Sequence, residues 1–329
     1  MIRIEHIGLW LAVVAGIAAS TTAYELPSPT VNPLIEQNGS CSWSEEFALP
    51  SFDGEVLASV VWDDGSGPAL YVGGAFRHHG TQPIDYIAKW DGQSWNAVTD
   101  TTGLGIDGTV SGLVVFDDGT GEALYVCGEF EYAGGRTASR IARWRGGSWS
   151  ALTGPMGNGV DGPAVAMTVY DDGNGDALYV GGTFESAGGI VAENIARWTG
   201  ERWQAVPSIG GSPLDAAVVA MTVFNGRLAV AGAYEVPPWN TRPILATWKG
   251  AWSTIEGIEF DEENPIALTA FDDASGEALY LGGRSVRFSG GFLARWNGSR
   301  WTSVTDSLGR DLDDLLDGFP LVRSMAASE

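Results

Sequence analysis

The motif ARWRGGSW, at residues 142–149, occurs in five versions along this chain of 329 residues. In each version two tryptophans flank a short glycine-containing turn, and an alanine lies two positions before the first tryptophan. The other versions are AKWDGQSW (88–95), ARWTGERW (196–203), ATWKGAW (246–252) and ARWNGSRW (294–301). Recurrence at intervals of 48 to 54 residues, from Trp90 to Trp296, indicates a repeat architecture.

Each repeat contains four apolar stretches that read as short β-strands. In the second repeat these stretches are TVSGLVVF (109–116), EALYVCG (122–128), RIARW (140–144) and WSAL (149–152). Four strands in about 50 residues is the size of a propeller blade, and strands apolar on both faces suit blades stacked face to face. The sequence therefore predicts an all-β fold, a β-propeller of four-stranded antiparallel blades beginning near 55, 109, 163, 216 and 266. A β-sandwich is the structural alternative, but it needs no repeat of this length.

The ends of the chain carry further features. Residues 1–23 combine an early arginine, an apolar run and small residues, which is typical of a secretory signal peptide. We expect a linker at 24–41 and the propeller at 42–329, with partial repeats at 42–54 and 315–329. The chain is then either a piece of a longer propeller or a five-bladed ring with spare strands.

The paired tryptophans are interpreted as core residues. Residues that flank a tight hairpin turn lie opposite each other on one face of the sheet, so each pair can form a wedge between blades. A sugar-binding platform is the alternative role. The predicted structural set is Trp90, Trp95, Trp144, Trp149, Trp198, Trp203, Trp248, Trp252, Trp296 and Trp301.

The LYVGG strand, an aromatic residue near the end of the third strand and a tryptophan opening the fourth resemble the kelch repeat of galactose-oxidase-type propellers. The repeat motif LYVGGxF…IARWxGxxW is also similar to repeats in secreted bacterial proteins and to the extracellular repeats of a fungal cortical polarity-marker family. The resemblance covers residues 55–304. It implies a propeller, and because kelch-like propellers include enzymes, adhesins and scaffolds it implies no single activity.

Aspartate doublets at the turn between the first and second strands suggest either a calcium ring or structural turns. Four repeats combine such a doublet with a base beside the first tryptophan, whereas the fourth repeat has Asn225 and Thr247 instead. Because acid and base disappear together, we predict structural ion pairs and no metal. The predicted pairs are Asp63–Lys89, Asp117–Arg143, Asp171–Arg197 and Asp272–Arg295.

No recognisable catalytic constellation is present in the sequence. The copper site implied by the galactose-oxidase resemblance requires tyrosine, histidine and cysteine. After the predicted signal peptide the sequence has only two histidines, His78 and His79, which are adjacent in one loop. Two adjacent histidines also serve zinc poorly. Nucleotide-binding and serine-hydrolase motifs are missing too. We therefore expect no cofactor and assign no catalytic residue.

The net charge of −23 argues against nucleic acid as a partner, because such a surface repels phosphates. We expect an exported monomer that is secreted, periplasmic or at the cell surface, without a membrane span once the signal is removed. Its expected function is that of a non-catalytic binding or scaffold module for proteins or glycans. The alternative is a carbohydrate-active hydrolase or lyase that uses loop carboxylates.

A ligand is expected on the face that carries the variable loops between the second and third strands. The loop of the fourth repeat is the most distinctive, since Trp239 stands there between prolines and Asn240. The candidate binding residues are Trp239, Asn240, His78 and His79.

Overall fold

In the computed structural model of the chain, all the described secondary structure is β-strand. The described residues are 2–3, 9–11, 52–207, 217–236, 240–257, 259–260, 265–272, 275–283, 286–287, 293–304 and 326–327. The partial repeats predicted at 42–54 and 315–329 lie almost wholly outside these ranges. Within them, no helix has the length and hydrophobicity that a bilayer-spanning segment needs.

The strands are numbered in chain order, and β1 (Ile2–Arg3) and β2 (Leu9–Leu11) precede the blades. Blade 1 contains β3 (Val56–Asp63), β4 (Pro68–Gly74), a small hairpin of β5 (His78–His79) and β6 (Gln82–Pro83), then β7 (Ile87–Trp90) and β8 (Trp95–Ala97). Blade 2 contains β9 (Thr109–Asp117), β10 (Glu122–Glu129), the hairpin β11 (Tyr132–Ala133) and β12 (Arg136–Thr137), then β13 (Ile141–Arg145) and β14 (Ser148–Ala151). Blade 3 contains β15 (Ala164–Asp171), β16 (Asp176–Gly182), the hairpin β17 (Ser186–Ala187) and β18 (Ile190–Val191), then β19 (Ile195–Trp198) and β20 (Trp203–Ala205).

The last two blades are less regular. Blade 4 contains β21 (Ala217–Phe224), β22 (Arg227–Val236), β23 (Asn240–Trp248) and β24 (Trp252–Thr254). Blade 5 is preceded by β25 (Glu259–Phe260) and contains β26 (Pro265–Asp272), β27 (Glu277–Gly283), β28 (Val286–Arg287), β29 (Leu293–Trp296) and β30 (Trp301–Ser303). The last strand is β31 (Ala326–Ala327), which pairs with β2.

Each blade is a four-stranded antiparallel meander, and the five together form a five-bladed β-propeller. The first strands of consecutive blades, β3, β9, β15, β21 and β26, contact one another in chain order. They therefore line the axis, and the fold class predicted from the repeat is confirmed. The observed starts of these strands lie within one residue of the predicted blade starts.

A bulge in the first strand explains the double glycine of LYVGG. The register between the first and second strands shifts at this point, as between Cys127 and Gly128. A Cβ atom added to Gly128 would lie 1.9 Å from the carbonyl oxygen of Thr109, so only glycine fits the close backbone approach.

The tryptophan pairs of blades 2 to 5 lie between adjacent blades. Trp198 and Trp203 are directly opposite across β19 and β20, with ring centroids 5.4 Å apart. They belong to one buried cluster with Phe116, Tyr125 and Ile141 of blade 2. The buried alanine two residues before the first tryptophan belongs to the same face and the same cluster. The pair thus fills the space between its own blade and the preceding one.

Candidate functional site

The alternating connections of the meander divide the molecule into two faces. The turn face carries the turns between first and second strands and between third and fourth strands. The loop face carries the hairpins between second and third strands and the linkers between blades. A hydrogen bond from Gly134 N to Gly105 O, 2.8 Å long, joins hairpin and linker on the loop face.

On the turn face, the first aspartate of each described doublet caps its own turn. Asp117 Oδ1 accepts hydrogen bonds from the backbone N–H groups of Gly119 (2.9 Å) and Gly121 (2.8 Å). Asp63 and Asp171 accept the equivalent pairs of bonds in blades 1 and 3. These aspartates therefore act locally, as Asp side chains in turns commonly do.

The second aspartate of the doublet connects the turn to the sheet. In blade 2, Asp118 Oδ1 accepts from the Thr120 hydroxyl at 2.5 Å, and Oδ2 accepts from the Tyr125 hydroxyl at 2.9 Å and from Arg143. Tyr125 is fully buried, and the Asp118 side chain is only 2% exposed. The equivalent clusters are Asp64, Tyr71 and Lys89 in blade 1 and Asp172, Tyr179 and Arg197 in blade 3.

This arrangement differs from the predicted ion pairs. Lys89, Arg143 and Arg197 form salt bridges with Asp64, Asp118 and Asp172, and not with Asp63, Asp117 and Asp171. The reason is geometric, because the first aspartate is turned toward the backbone N–H groups of the loop. In blade 5, Arg295 donates to Ser275 Oγ at 2.6 Å and to Tyr280 Oη at 3.2 Å. The pairing of Asp272 with Arg295 stays a prediction, and Asp273 lies outside the described residues.

The clusters shift the ionisation of their members. Burial alone would raise the pKa of Asp118, but hydrogen bonds from Thr120 and Tyr125, together with the charge of Arg143, outweigh it and lower that pKa. The pKa of Asp172 is lowered by the same balance. Burial, reinforced by the charge of Asp172, raises the pKa of Tyr179 to about 12 despite the opposing effect of Arg197. The aspartates are therefore ionised and the tyrosine is neutral over the physiological range.

Blade 4 lacks all three members of the cluster. Its first turn is the two-residue Asn225–Gly226, in which both residues have positive φ (48° and 62°), as a type I′ hairpin requires. Ala229 takes the position of the buried tyrosine, and Thr247 takes the position of the base. The tyrosine is a member that the sequence analysis missed, although its loss in the fourth repeat coincides with the loss of acid and base.

A cleft of about 520 Å³ opens on the turn face beside this altered blade. Its walls come almost entirely from blade 3, and Trp248 of blade 4 closes it on the opposite side. The main polar side chains along it are Asp172, Arg197, Glu201, Arg202 and Gln204.

On the loop face, each of the first three blades uses a second capping aspartate that the sequence analysis did not identify. Asp53 Oδ1 accepts from the backbone N–H groups of Arg77 (2.7 Å) and His78 (2.8 Å). Asp107 and Asp161 accept the corresponding bonds 54 and 108 positions later. The signal was the Asp-Gly dipeptide before each first strand, which recurs at the repeat interval.

The two candidate histidines lie in the β5–β6 hairpin and contact this cap. His78 Nδ1 is 2.8 Å from Asp53 Oδ2, and both side chains are about half exposed. Hydrogen bonds from the backbone and side chain of His78 and from the backbone of Arg77 hold the pKa of Asp53 far below its usual range. His79 pairs with Phe52 in an isolated β-bridge, and their rings lie 5.3 Å apart. The histidines are thus adjacent on the loop face without converging on one point.

The other two candidates give no side-chain geometry. Trp239 lies outside the described residues, and of Asn240 the structure describes only the backbone, which opens β23 opposite Val236. The binding role of Trp239 and Asn240 stays a prediction.

Exposed large apolar side chains in the described ranges lie on the loop face of blades 2 and 3. Tyr132 (48% exposed) and Val191 (77%) belong to the hairpins of these blades. Leu104 (49%) and Met156 (80%) belong to the linkers that pack against those hairpins, beside Gly135 and Gly189 respectively. We call these four residues the loop-face apolar patch. Asn158 of the second linker donates to Thr137 O of the first hairpin at 3.1 Å and joins the two halves of the patch.

In the described ranges, no three histidine, cysteine, aspartate or glutamate side chains converge to form a metal site. Seven aspartates there have a clearly shifted pKa, and in all seven the shift is downward: Asp53, Asp64, Asp91, Asp100, Asp118, Asp161 and Asp172. A general acid at neutral pH needs the opposite shift, so these seven side chains are suited to structural roles.

Comparisons with known proteins show no family and only distant structural similarity. No protein-family model matches the chain, and no curated protein matches it. Among solved structures, the extracellular domain assigned to a hybrid two-component system of B. thetaiotaomicron is similar over 77% of this chain and 35% of its own, at 11% identity and a TM-score of 0.33. A mutant of the Aleuria aurantia lectin in complex with Fucα1-6GlcNAc is similar over 78% of this chain and 80% of its own, at 11% identity and a TM-score of 0.37. Similarity at this level carries no argument about fold, ligand or activity, and kelch-type membership stays a resemblance.

Proposed function

We propose that this protein is an exported, non-catalytic binding module and that its loop face engages a protein partner. The observation that carries this proposal is the loop-face apolar patch. Large apolar side chains that are exposed together on one face are costly in water and commonly mark interaction surfaces. Three of the four patch residues are aliphatic or methionine, which favours a protein partner over a glycan.

The scaffold beneath the patch supports this role. The linkers and hairpins are held by Asp107 and Asp161 and by backbone bonds such as Gly188 N to Gly159 O at 2.7 Å. A patch held rigidly loses little conformational entropy when a partner binds. Export is proposed from the apolar N-terminal run and the small residues that follow it.

The proposal is tested with the purified full chain against a displayed peptide library and a glycan array. We expect an enriched peptide to bind with a Kd of about 1 μM or lower. The double variant Met156→Ser/Val191→Ser should weaken that binding about tenfold, because it removes the two most exposed side chains of the patch. The matched control is Gln93→Ala, an exposed residue of the turn face, which should leave the affinity unchanged.

Three results would contradict the proposal. They are the absence of any enriched peptide, retention of peptide binding by the double variant, and release of products from array glycans by the wild-type chain. The last result would favour a carbohydrate-active enzyme.

A further inference from the structure

We propose that the cleft between blades 3 and 4 is a second binding site, which takes a neutral, hydroxyl-rich ring such as a saccharide residue. The site lies on the turn face, opposite the loop-face apolar patch, and does not depend on the function proposed above. Its volume of about 520 Å³ falls within the usual range of small-molecule sites.

The cleft exists because blade 4 departs from the repeat. Between blades 2 and 3 the corresponding space is closed, since the blade 3 turn packs so tightly on blade 2 that a Cβ at Gly200 would lie 2.5 Å from Asp118 O. Between blades 3 and 4 the corresponding turn is the one that joins the third and fourth strands of blade 4. It is one residue shorter, with only Lys249–Gly250–Ala251 between its tryptophans. The shortened turn leaves the polar edge of blade 3 uncovered.

A tyrosine hydroxyl of blade 3 holds the backbone of blade 4 beside the cleft. The Tyr170 hydroxyl lies 3.3 Å from the carbonyl oxygens of both Gly226 and Trp248, and donates to them. The equivalent positions in blades 1 and 2 are Trp62 and Phe116, which have no hydroxyl. The hydroxyl anchors the edge of blade 4, so the cleft has a fixed far wall.

The lining offers both unused donors and unused acceptors. Arg197 donates from Nε to Gln204 Oε1 at 2.9 Å and from Nη1 to Asp172, while its Nη2 has no partner in the described part of the chain. The side chains of Arg202 and Glu201 likewise form no ion pair or hydrogen bond there, and both are exposed along the cleft. Asp172 is fully occupied and holds Arg197 in position, so part of the site is preorganised.

The class of ligand follows from these charges. An anion would be attracted by Arg202 but repelled by Glu201 and by the net charge of −23, and a cation would be attracted by Glu201 but repelled by Arg202 and Arg197. A neutral ring with several hydroxyls can accept from Arg202 and donate to Glu201 at the same time, since each hydroxyl does both. Trp248 is only 8% exposed, and the part of it that lines the cleft adds a small apolar contact for such a ring.

The first test measures binding of small glycosides to the full chain by ligand-observed NMR. The probes are methyl glycosides of neutral hexoses, deoxyhexoses and pentoses, with methyl glucuronide and glucosamine as charged comparisons. We expect at least one neutral glycoside to bind with a Kd of about 1 mM and more tightly than both charged sugars. Failure of every neutral glycoside to bind, or tighter binding of a charged sugar, would overturn the proposal.

Variants then locate the site. Arg202→Ala and Glu201→Ala should each weaken the binding of that glycoside about tenfold, because each removes a charged hydrogen-bonding partner. The matched control is Arg300→Ala, which removes an exposed arginine from the same turn position of blade 5 and should change nothing. Insertion of one glycine after Gly250 lengthens the blade 4 turn to the standard length and should abolish binding.

The outcome also separates the two sites. Met156→Ser/Val191→Ser should bind the glycoside normally, since the loop-face apolar patch is on the other face. Equal losses for Arg300→Ala and Arg202→Ala, or a loss in the loop-face variant, would place the sugar elsewhere and contradict the proposal.

Discussion

Blades 3 and 4 are neighbours with the same strand order and the same tryptophan pair, yet the turn between their first and second strands is built differently. Blade 3 closes its first turn with four residues, 172–175, and joins it to the sheet through Asp172, Tyr179 and Arg197. Blade 4 closes the same turn with two residues and has Ala229 and Thr247 at the positions of the tyrosine and the base. The cluster is therefore not required to build a blade.

The comparison also explains why the members disappear together. Removing one partner from a nearly buried ion pair leaves the other charge without compensation, which costs more than replacing the whole group. A blade that loses its doublet therefore gains by losing its base and its tyrosine hydroxyl as well. We expect experiments on the two blades to separate what they share from what distinguishes them.

The largest effect should come from the wedge that both blades share. Trp198→Ala and Trp248→Ala each remove a tryptophan that is at most 8% exposed, and each should lower the free energy of unfolding by about 3–5 kcal/mol. Chemical denaturation of the two variants measures the loss. A much smaller loss for Trp248 would mean that the cleft beside it already weakens the interface between blades 3 and 4.

A smaller effect should come from the cluster that only blade 3 has. Asp172→Ala should lower the unfolding free energy by about 2–3 kcal/mol, because it leaves Arg197 charged and only 12% exposed. The triple variant Asp172→Ser/Tyr179→Phe/Arg197→Thr, which imitates blade 4, should cost no more than the single change. If the losses from the three positions simply add up, the cluster is not a cooperative unit.

The clusters should also contribute to acid sensitivity. The pKa of Asp172 is lower in the folded protein than its ordinary value of 3.8, so its stabilising contribution is present above that value and is lost as the pH falls through the lower, folded pKa. Urea denaturation between pH 7 and pH 2.5 should therefore show a shallower fall in stability for Asp172→Asn than for the wild type. Parallel curves for the two proteins would show that this carboxylate does not contribute.

The smallest effects should come from the turns themselves. Asp171→Ala removes the acceptor for the N–H groups of Gly173 and Gly175 and should cost about 1 kcal/mol in this exposed turn. In blade 4 the matching change is Asn225→Ala, which places a residue with little tolerance for positive φ at 48° and should cost about the same. Thermal unfolding compares the two variants, and a neutral Asn225→Ala would show that the short turn adopts another type.

The blade architecture could be predicted from the sequence because it depends on repetition and on strand periodicity. Trp144 and Trp149 had to lie opposite each other once a tight turn joined their strands, and they do. The partner of each base was harder to predict, because Asp117 and Asp118 are adjacent and only the three-dimensional turn determines which one accepts the backbone N–H groups.

The candidate site was the least predictable part. His78 was singled out as one of few histidines, but it occupies a position that is Tyr132 in blade 2 and Ser186 in blade 3, next to the same capping aspartate. The cleft arises from the space left by a missing residue in the blade 4 turn. The shortened turn is visible in the sequence. The depth of the cleft is not, because it depends on how neighbouring blades pack.

The contacts of the fourth-strand tryptophans give the ring a direction of assembly. Trp203, Trp252 and Trp301 donate from Nε1 to the carbonyl oxygens of Leu152, Pro207 and Glu256, which belong to the chain that leaves the preceding blade. During synthesis that acceptor always leaves the ribosome before the tryptophan that binds it, and domains generally fold from the N-terminal side as they emerge. Blades 3, 4 and 5 are therefore each completed against a template that is already formed, so their apolar strands need not stay exposed until a later partner is made.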